Sequence, residues 1–326
     1  MKKEFITEIL QGMLTQLNNQ QLKALERVLK NTLKNKTLKS SQEIHKEDPE
    51  VFARFILAKR IEGCSEKTIK YYSNTINAMM NTISKTLQQI TTNDLRLYLH
   101  EYQLKNNVSR VTIDNVRRIL SSFFAWLEDE DFIIKSPVRR IHKVKSPNII
   151  KDTFTDEDLE TMRDNAPVLR DLAIIDLLTS SGMRVGEMVQ LNRSDINFKE
   201  RECIVFGKGN KERIVYFDAR TKIHLQDYLD SRSDANPALF VHLRVPYGRL
   251  SIGGTEARLR ALGRKLSIPK VHPHKFRRTL ATSAIDKGMP IEQVQQLLGH
   301  QKIDTTLHYA MVKQQNVKTA HRKYIG

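Results

Sequence analysis

A chain of 326 residues, 40% of them hydrophobic, is long enough for two domains with cores of ordinary size. A formal net charge of +17 with a pI near 9.8 favours a polyanionic partner, DNA or RNA ahead of an anionic membrane surface. No apolar run approaches the ~20 residues needed to span a bilayer, and Cys64 and Cys203, without any Cys-x-x-Cys pair, suggest neither a disulfide framework nor a zinc site.

The start, Met1-Lys2-Lys3-Glu4-Phe5, has no signal-peptide pattern, so the expected compartment is the cytoplasm. Residues 3–35 predict two short amphipathic helices, one striped by Ile6, Ile9, Leu10, Met13, Leu14 and Leu17, the other by Leu22, Leu25, Val28, Leu29 and Leu33. Two such helices cannot bury both stripes alone. Residues 35–48 are polar and read as a linker, which makes 1–48 an N-terminal helical extension.

Residues 49–135 predict one all-α domain. Phe52, Phe55 and Ile56 start a helix that ends by Gly63, and Ser65-Glu66 opens the next. Thr92 or Asn93 caps a third helix carrying Leu95, Tyr98, Leu99 and Tyr102. Ser109 caps a fourth with Ile113, Val116, Ile119, Leu120, Phe123 and Phe124. Residues 136–151 contain two Ser-Pro steps and Arg139, Arg140, Lys143, Lys145 and Lys151 before the first acidic residue. Proline and like charges both extend a chain, so this segment reads as a basic interdomain strap laid along phosphates.

Residues 152–326 form the second domain. Thr155 and Asp158 make a capping pair, and Val168 to Leu178 gives a buried helix. Gly182 ends that helix and Arg184 opens another at a bend. Ile204-Val205-Phe206 and Ile214-Val215-Tyr216-Phe217 flank Gly207-Lys208-Gly209-Asn210, a hairpin pattern. Ala238 to His242 suggests another short strand, and Ile252 to Leu266 a helix. In Val271-His272-Pro273-His274-Lys275-Phe276-Arg277, Pro273 suits a first helical turn, so His274 and Arg277, three apart, should share a face. Gly288 and Pro290 stop this helix and start one with Ile291, Val294, Leu297 and Leu298. Gly299 caps it, His300 emerges past the cap, and a Thr305-Thr306 pair suited to cap a last short helix precedes Tyr309.

Each of these residues alone has a bland reading as cap, surface or packing. Together, His274-x-x-Arg277, Leu297-Leu298-Gly299-His300 and Tyr309 resemble the C-terminal signature of the tyrosine recombinases, the phage integrases and Xer-type resolvases. Ser181-Gly182-Met183-Arg184-Val185-Gly186-Glu187 is similar to that family's arginine box, and Gly207-Lys208-Gly209-Asn210-Lys211-Glu212-Arg213 to its hairpin lysine box. Upstream, Thr68 to Tyr72, Ile90 to Asp94, Ser121 to Phe124 and Ser136-Pro137 resemble its core-binding domain. The chain departs from the family at Tyr216, where proline is common, at Arg278, where His is frequent, and at Ala310-Met311 after the tyrosine.

The resemblance implies a mainly α architecture, an all-α, SAM-like core-binding domain plus an α+β catalytic domain with a small antiparallel sheet, forming a C-shaped DNA clamp. It implies a site-specific recombinase that cuts and rejoins duplex DNA through a 3′-phosphotyrosyl intermediate. It assigns Tyr309 as nucleophile, His274 as its proton acceptor, Lys208 as proton donor to the departing 5′ oxygen, and His300 as a hydrogen-bond partner of the phosphate. Arg184 and Arg277 would clamp the non-bridging oxygens with forked, permanently charged donors. Partners would be double-stranded recombination sites, further copies of the chain in a tetrameric synapse and, in some systems, an accessory DNA-bending protein. No cofactor or metal is expected: His272 and His274 are not joined by a carboxylate or Cys at ligand spacing. After Tyr309, the basic tail with Val317 and Tyr324 would dock on a neighbouring protomer.

Two other functions share the motifs: a catalytically silent DNA-binding factor of this fold, and a type IB topoisomerase. A nucleotide-binding loop around Lys208 is rejected, because the Gly-x-x-x-x-Gly-Lys-Ser/Thr spacing is absent and no helix follows.

Overall fold

The computed structural model describes residues 2–34, 41–145, 152–207, 212–300, 303–307 and 325, with backbone alone at 41–48, 304 and 305. The chain divides into two compact units, Met1–Asn148 and Ile149–Gly326. Lys208, Lys211, Tyr309 and the basic tail from Lys313 to Tyr324 lie outside the described residues.

The first unit is helical. Helices α1 (Lys2–Gly12) and α2 (Asn19–Thr32) pack on each other. Of α1 only Ile6 is buried, and the stripe of α2 remains half-buried or exposed. Helix α3 (Ser41–Ile61) begins well before the expected start, so residues 41–48, read as linker, are helical. Asp48-Pro49 suggested a boundary because proline lacks an amide donor and disfavours helix before it. Here Pro49 is accommodated inside the helix.

Helices α4 (Glu66–Thr82), α5 (Thr92–Asn106) and α6 (Arg110–Asp129) follow, capped by Ser65, Thr91 and Ser109. The α5 cap is one residue earlier than the sequence suggested, because Thr91 and Asp94 close a reciprocal capping box. Phe55, Phe123, Phe124, Leu95, Leu120 and Leu127 fill the core. The Phe55 ring meets Phe123 edge-on at 5.0 Å and Trp126 at 5.5 Å.

The described part of the basic strap is not an extended linker. Pro137–Arg140 is a turn of 3-10 helix. Val138 is buried, and Ile141 and Val144 pack on the same core. Asp114 Oδ1 accepts from the Val144 amide at 3.0 Å, and Thr92 Oγ1 donates to the Pro137 carbonyl at 2.8 Å. Arg139, Arg140, Lys143 and Lys145 project to solvent between these anchors. An apolar residue every third position won over like-charge repulsion.

In the second unit, α7 (Asp156–Asp164) is capped by Thr155 and Asp158, and α8 (Leu169–Ser181) runs through the core. The short α9 (Val185–Met188) follows. Strands β1 (Ile196–Asn197), β2 (Glu202–Phe206) and β3 (Glu212–Tyr216) make an antiparallel sheet in the order β1-β2-β3, with Val205 opposite Arg213. Ala238 to His242 does not form a strand. It makes only isolated bridges, Asn192 with Ala238 and Val241 with Arg249.

Helix α10 (Ala219–Asp230), which the sequence reading passed over, packs on α8. Its polar residues outnumber its apolar ones, but Asp218 caps it and Leu225 and Tyr228 are buried. Helices α11 (Ile252–Lys265), α12 (Pro273–Asp286), α13 (Ile291–Leu298) and α14 (Ile303–Leu307) complete the unit. Thr305 and Thr306 lie within α14 instead of capping it. The molecule is therefore mainly helical, with one small antiparallel sheet. No helix among the described residues is long and apolar enough to cross a membrane.

Candidate active site

The site is assembled where the ends of α8 and α13 meet the start of α9 and the middle of α12. Gly182 terminates α8 with φ +59, a left-handed cap. A Cβ there would lie 2.6 Å from Leu280 on α12 and 3.2 Å from Leu298 on α13, so glycine is needed for close approach as well as conformation. The cap brings the chain to Arg184, the N-cap of α9.

Arg184 is fixed twice by Glu187. Glu187 accepts from the Arg184 amide and from its Nη1, each at 2.8 Å. Glu187 is buried, which by itself would raise its carboxyl pKa; the hydrogen bond from Arg213 and that from the Arg184 amide outweigh burial and hold it below the ordinary value. It is therefore a carboxylate, able to bind two guanidinium groups.

Arg277 on α12 is only 2% exposed. Its Nη1 donates to the Gly182 carbonyl at 2.6 Å and its Nη2 to the Leu298 carbonyl. These are the last carbonyls of α8 and α13, which carry partial negative charge and lack helical partners of their own. The contact locks the guanidinium plane without neutralising its charge. His274 lies one turn earlier on the same helix and, unlike Arg277, is exposed.

His300 follows Gly299, itself in the left-handed region at φ +65. Its Nδ1 is 2.8 Å from the hydroxyl of Thr306, a fully buried residue of α14. Burial, then the charges of Arg277, Arg184 and Arg213, push its pKa down from 6.5 to about 4. The ring is neutral at physiological pH, with the charge of three arginines disfavouring its protonation.

Arg184, Arg277 and His300 are thus brought together, with His274 on the same helix as Arg277. Lys208 lies in sequence between β2 and β3, outside the described residues. Arg139, Arg140, Lys143 and Lys145 belong to the other unit. The sequence reading quoted Glu187 and Arg213 within motifs but gave them no role, and it read Thr306 only as a cap. The Arg-x-x-Glu spacing was the available signal for Glu187. Nothing local marked Arg213. No three His, Cys, Asp or Glu side chains cluster as metal ligands do among the described residues.

Known proteins with this pattern can now be set beside it. Residues 152–316 match the family model of the phage integrase family, and residues 51–134 that of the phage integrase N-terminal SAM-like domain. A tyrosine recombinase XerC of Leptospira interrogans is 32% identical over 84% of this chain and 92% of its own length. One of Pediococcus pentosaceus is 29% identical over 84% of this chain and 96% of its own length. Among solved structures, XerH recombinase bound to a palindromic difH substrate, a post-cleavage complex, aligns with TM-score 0.67 at 19% identity, covering 98% of this chain and 95% of that one. The Tn1549 transposon integrase with a circular intermediate DNA aligns with TM-score 0.70 at 18% identity, covering 84% and 98%.

Proposed function

The chain belongs to the phage integrase family and is a tyrosine-type site-specific DNA recombinase, and from that premise we propose how its own residues divide the work. One observation carries the assignment: Arg277, 93 residues from Arg184 in sequence, donates to the Gly182 carbonyl two residues before Arg184 and to the Leu298 carbonyl two residues before His300, which gathers the three.

Attack on a phosphodiester builds negative charge on the non-bridging oxygens. Arg184 and Arg277 supply fixed positive charge there, in surroundings that need little reorganisation. His300, neutral, contributes a hydrogen bond in place of a third full charge. Tyr309 attacks the phosphorus, and its proton passes to His274. The bond to the 5′ oxygen breaks, Lys208 protonates that oxygen, and a 3′-phosphotyrosyl bond remains. One phosphoester replaces another, so bond energy is conserved for religation. A 5′-hydroxyl from a second duplex reverses the step and completes strand exchange.

DNA is the substrate of this reading, engaged by the strap cations Arg139, Arg140, Lys143 and Lys145 as well as by the catalytic unit. Domains at 49–135 and 152–326, a tetrameric synapse, cytoplasmic residence and, in some settings, an accessory DNA-bending protein complete it. The test is covalent capture on a nicked duplex site. Wild type should form a protein–DNA adduct that Tyr309→Phe does not form. Adduct in the variant would move the nucleophile to another residue, Tyr324 first. Wild-type binding without adduct would favour the silent DNA-binding factor.

A further inference from the structure

Arg213 is a half-buried cation, its Nε and Nη1 shielded from solvent, that the division of work above does not use. It lies on β3 opposite Val205, between the outward-facing Ile214 and Glu212. Alternation turns it to the same face as Val215, a core residue. A charged residue at such a position is costly unless paired and hydrogen-bonded. Its Nη2 donates to Glu187 Oε2 at 2.9 Å. Its Nε and Nη1 are buried with no hydrogen-bond partner among the described residues. Unsatisfied buried donors on a permanent cation call for a reason.

The course of the side chain supplies one. A Cβ added to Gly299 would lie 2.6 Å from Arg213 Cδ and 2.9 Å from its Nε. The guanidinium therefore occupies the room a side chain at 299 would take, directly beneath the turn that presents His300. One side chain joins three pieces of the site: the paired strands β2 and β3, the carboxylate that orients Arg184, and the His300 turn.

Resting on the reaction proposed above, we infer that Arg213 is a positioning residue for strand cleavage, holding Glu187 against Arg184 and fixing the hairpin and the His300 turn in one register. It acts through Glu187 and His300 and does not itself touch the reacting atoms. The groups facing it are Glu187, His300 and Cys203, whose buried thiol is pushed up to about 12 and stays uncharged. The groups facing His300 are Arg277 from α12, Arg184 ahead of α9, Arg213 from β3 and the Thr306 hydroxyl from α14. Removing Arg213 subtracts one of three cations that disfavour His300 protonation, so the His300 pKa should rise from about 4.

The test measures full-length Arg213→Gln and Arg213→Lys in two ways. The first is single-turnover adduct formation at saturating DNA, with Kd measured alongside. Arg213→Gln should slow the adduct at least about tenfold while Kd changes less than about threefold, the mark of an interaction made in the transition state. Arg213→Lys, which keeps charge but loses the planar fork, should recover only part of that loss. The second is a histidine-labelled NMR titration, with His300 assigned by His300→Gln. The His300 midpoint should move up in Arg213→Gln and stay low in Arg213→Lys.

An adduct rate within about twofold of wild type in both variants would overturn the inference. So would a loss confined to Kd with an unmoved His300 midpoint. If Arg213→Gln fails to unfold cooperatively, Arg213→Lys decides alone, and a wild-type rate in it overturns the fork's role. Absence of a wild-type adduct would sink the underlying reaction; a wild-type adduct with indifferent Arg213 variants sinks this inference alone.

Discussion

The two units bury different things. Among the described residues, the helical unit buries Thr75, Thr86 and Ser136 as its polar groups and no charged residue, around a core of aromatic and aliphatic side chains. The recombinase unit buries Arg170, Asp171, Asp176, Glu187, Lys275 and Arg277. Away from the site, these charges are closely matched. Asp176 accepts from Arg163 and pairs with His224, and Asp171 lies between Arg170 and Arg258. Lys275 donates to the Pro269 carbonyl at 3.1 Å and sits 4.3 Å over the Phe154 ring. Around His300 the arrangement changes: Arg184 and Arg213 share the carboxylate of Glu187, and Arg277 donates to the Gly182 and Leu298 carbonyls. Away from the site the buried carboxylates Asp171 and Asp176 are paired with guanidinium or imidazole groups. At the candidate site, backbone carbonyls orient the Arg277 guanidinium.

That contrast can be broken most severely at the proposed nucleophile. Tyr309→Phe should abolish the covalent adduct while leaving DNA affinity within a few-fold of wild type, since a hydroxyl contributes little to the binding surface. Filter binding and denaturing gels on the same sample read both. Next is Lys208→Ala, which should slow cleavage by about 10²–10⁴-fold, the usual contribution of a general acid. A substrate with sulfur at the 5′-bridging position has a leaving group that needs no proton, so it should restore cleavage. It should not restore Arg277→Ala to the same degree, because that variant lacks charge stabilisation. Failure of sulfur to rescue Lys208→Ala would make Lys211 the next candidate.

The helical unit should answer to volume instead of charge. Phe123 is fully buried between Phe55, Phe52 and Phe124. Phe123→Ala should destabilise that unit by about 3–5 kcal/mol through lost burial and a residual cavity. A denaturant titration reporting Trp126 would read it, and a change below about 1 kcal/mol would mean the core collapses around the gap.

A smaller effect tests the strap. DNA affinity should fall linearly on a log–log salt plot, by about 0.9 for each phosphate contacted. Neutralising Arg139, Arg140, Lys143 and Lys145 together should flatten that slope, and an unchanged slope would take the strap off the DNA.

The mildest test is acidification. His300 has a folded pKa near 4 against an ordinary 6.5, so between those values the unfolded chain binds the extra proton. The recombinase unit's stability from this group is full above about 6.5 and declines as pH falls towards 4. In the helical unit Asp94, hydrogen-bonded by Lys85 and by Thr91, has its pKa lowered from 3.8 to about 2, so its contribution declines only below about 3.8. Melting curves at pH 7 and pH 5 should therefore separate the units. Equal sensitivity of both over that interval would contradict the His300 assignment.

What sequence alone determined was whatever is local or periodic. Caps at Ser65, Ser109, Thr155 and Gly299 were legible because a capping residue acts on amides or carbonyls within four positions of itself. The hairpin was legible from alternation around Gly207-Lys208-Gly209, and Arg184, His274, Arg277 and His300 from their motifs. Tertiary structure decided what depends on distant partners. Pro49 is carried inside α3, the strap docks through Val138, Ile141 and Val144, and the polar α10 gains its place by burying Leu225 and Tyr228 on α8. It also set the exposure of the two motif residues on α12, leaving His274 exposed and Arg277 buried. Arg213 and Thr306 were invisible for the same reason. Each owes its role to a turn at Gly299–His300, which only folding brings beside it.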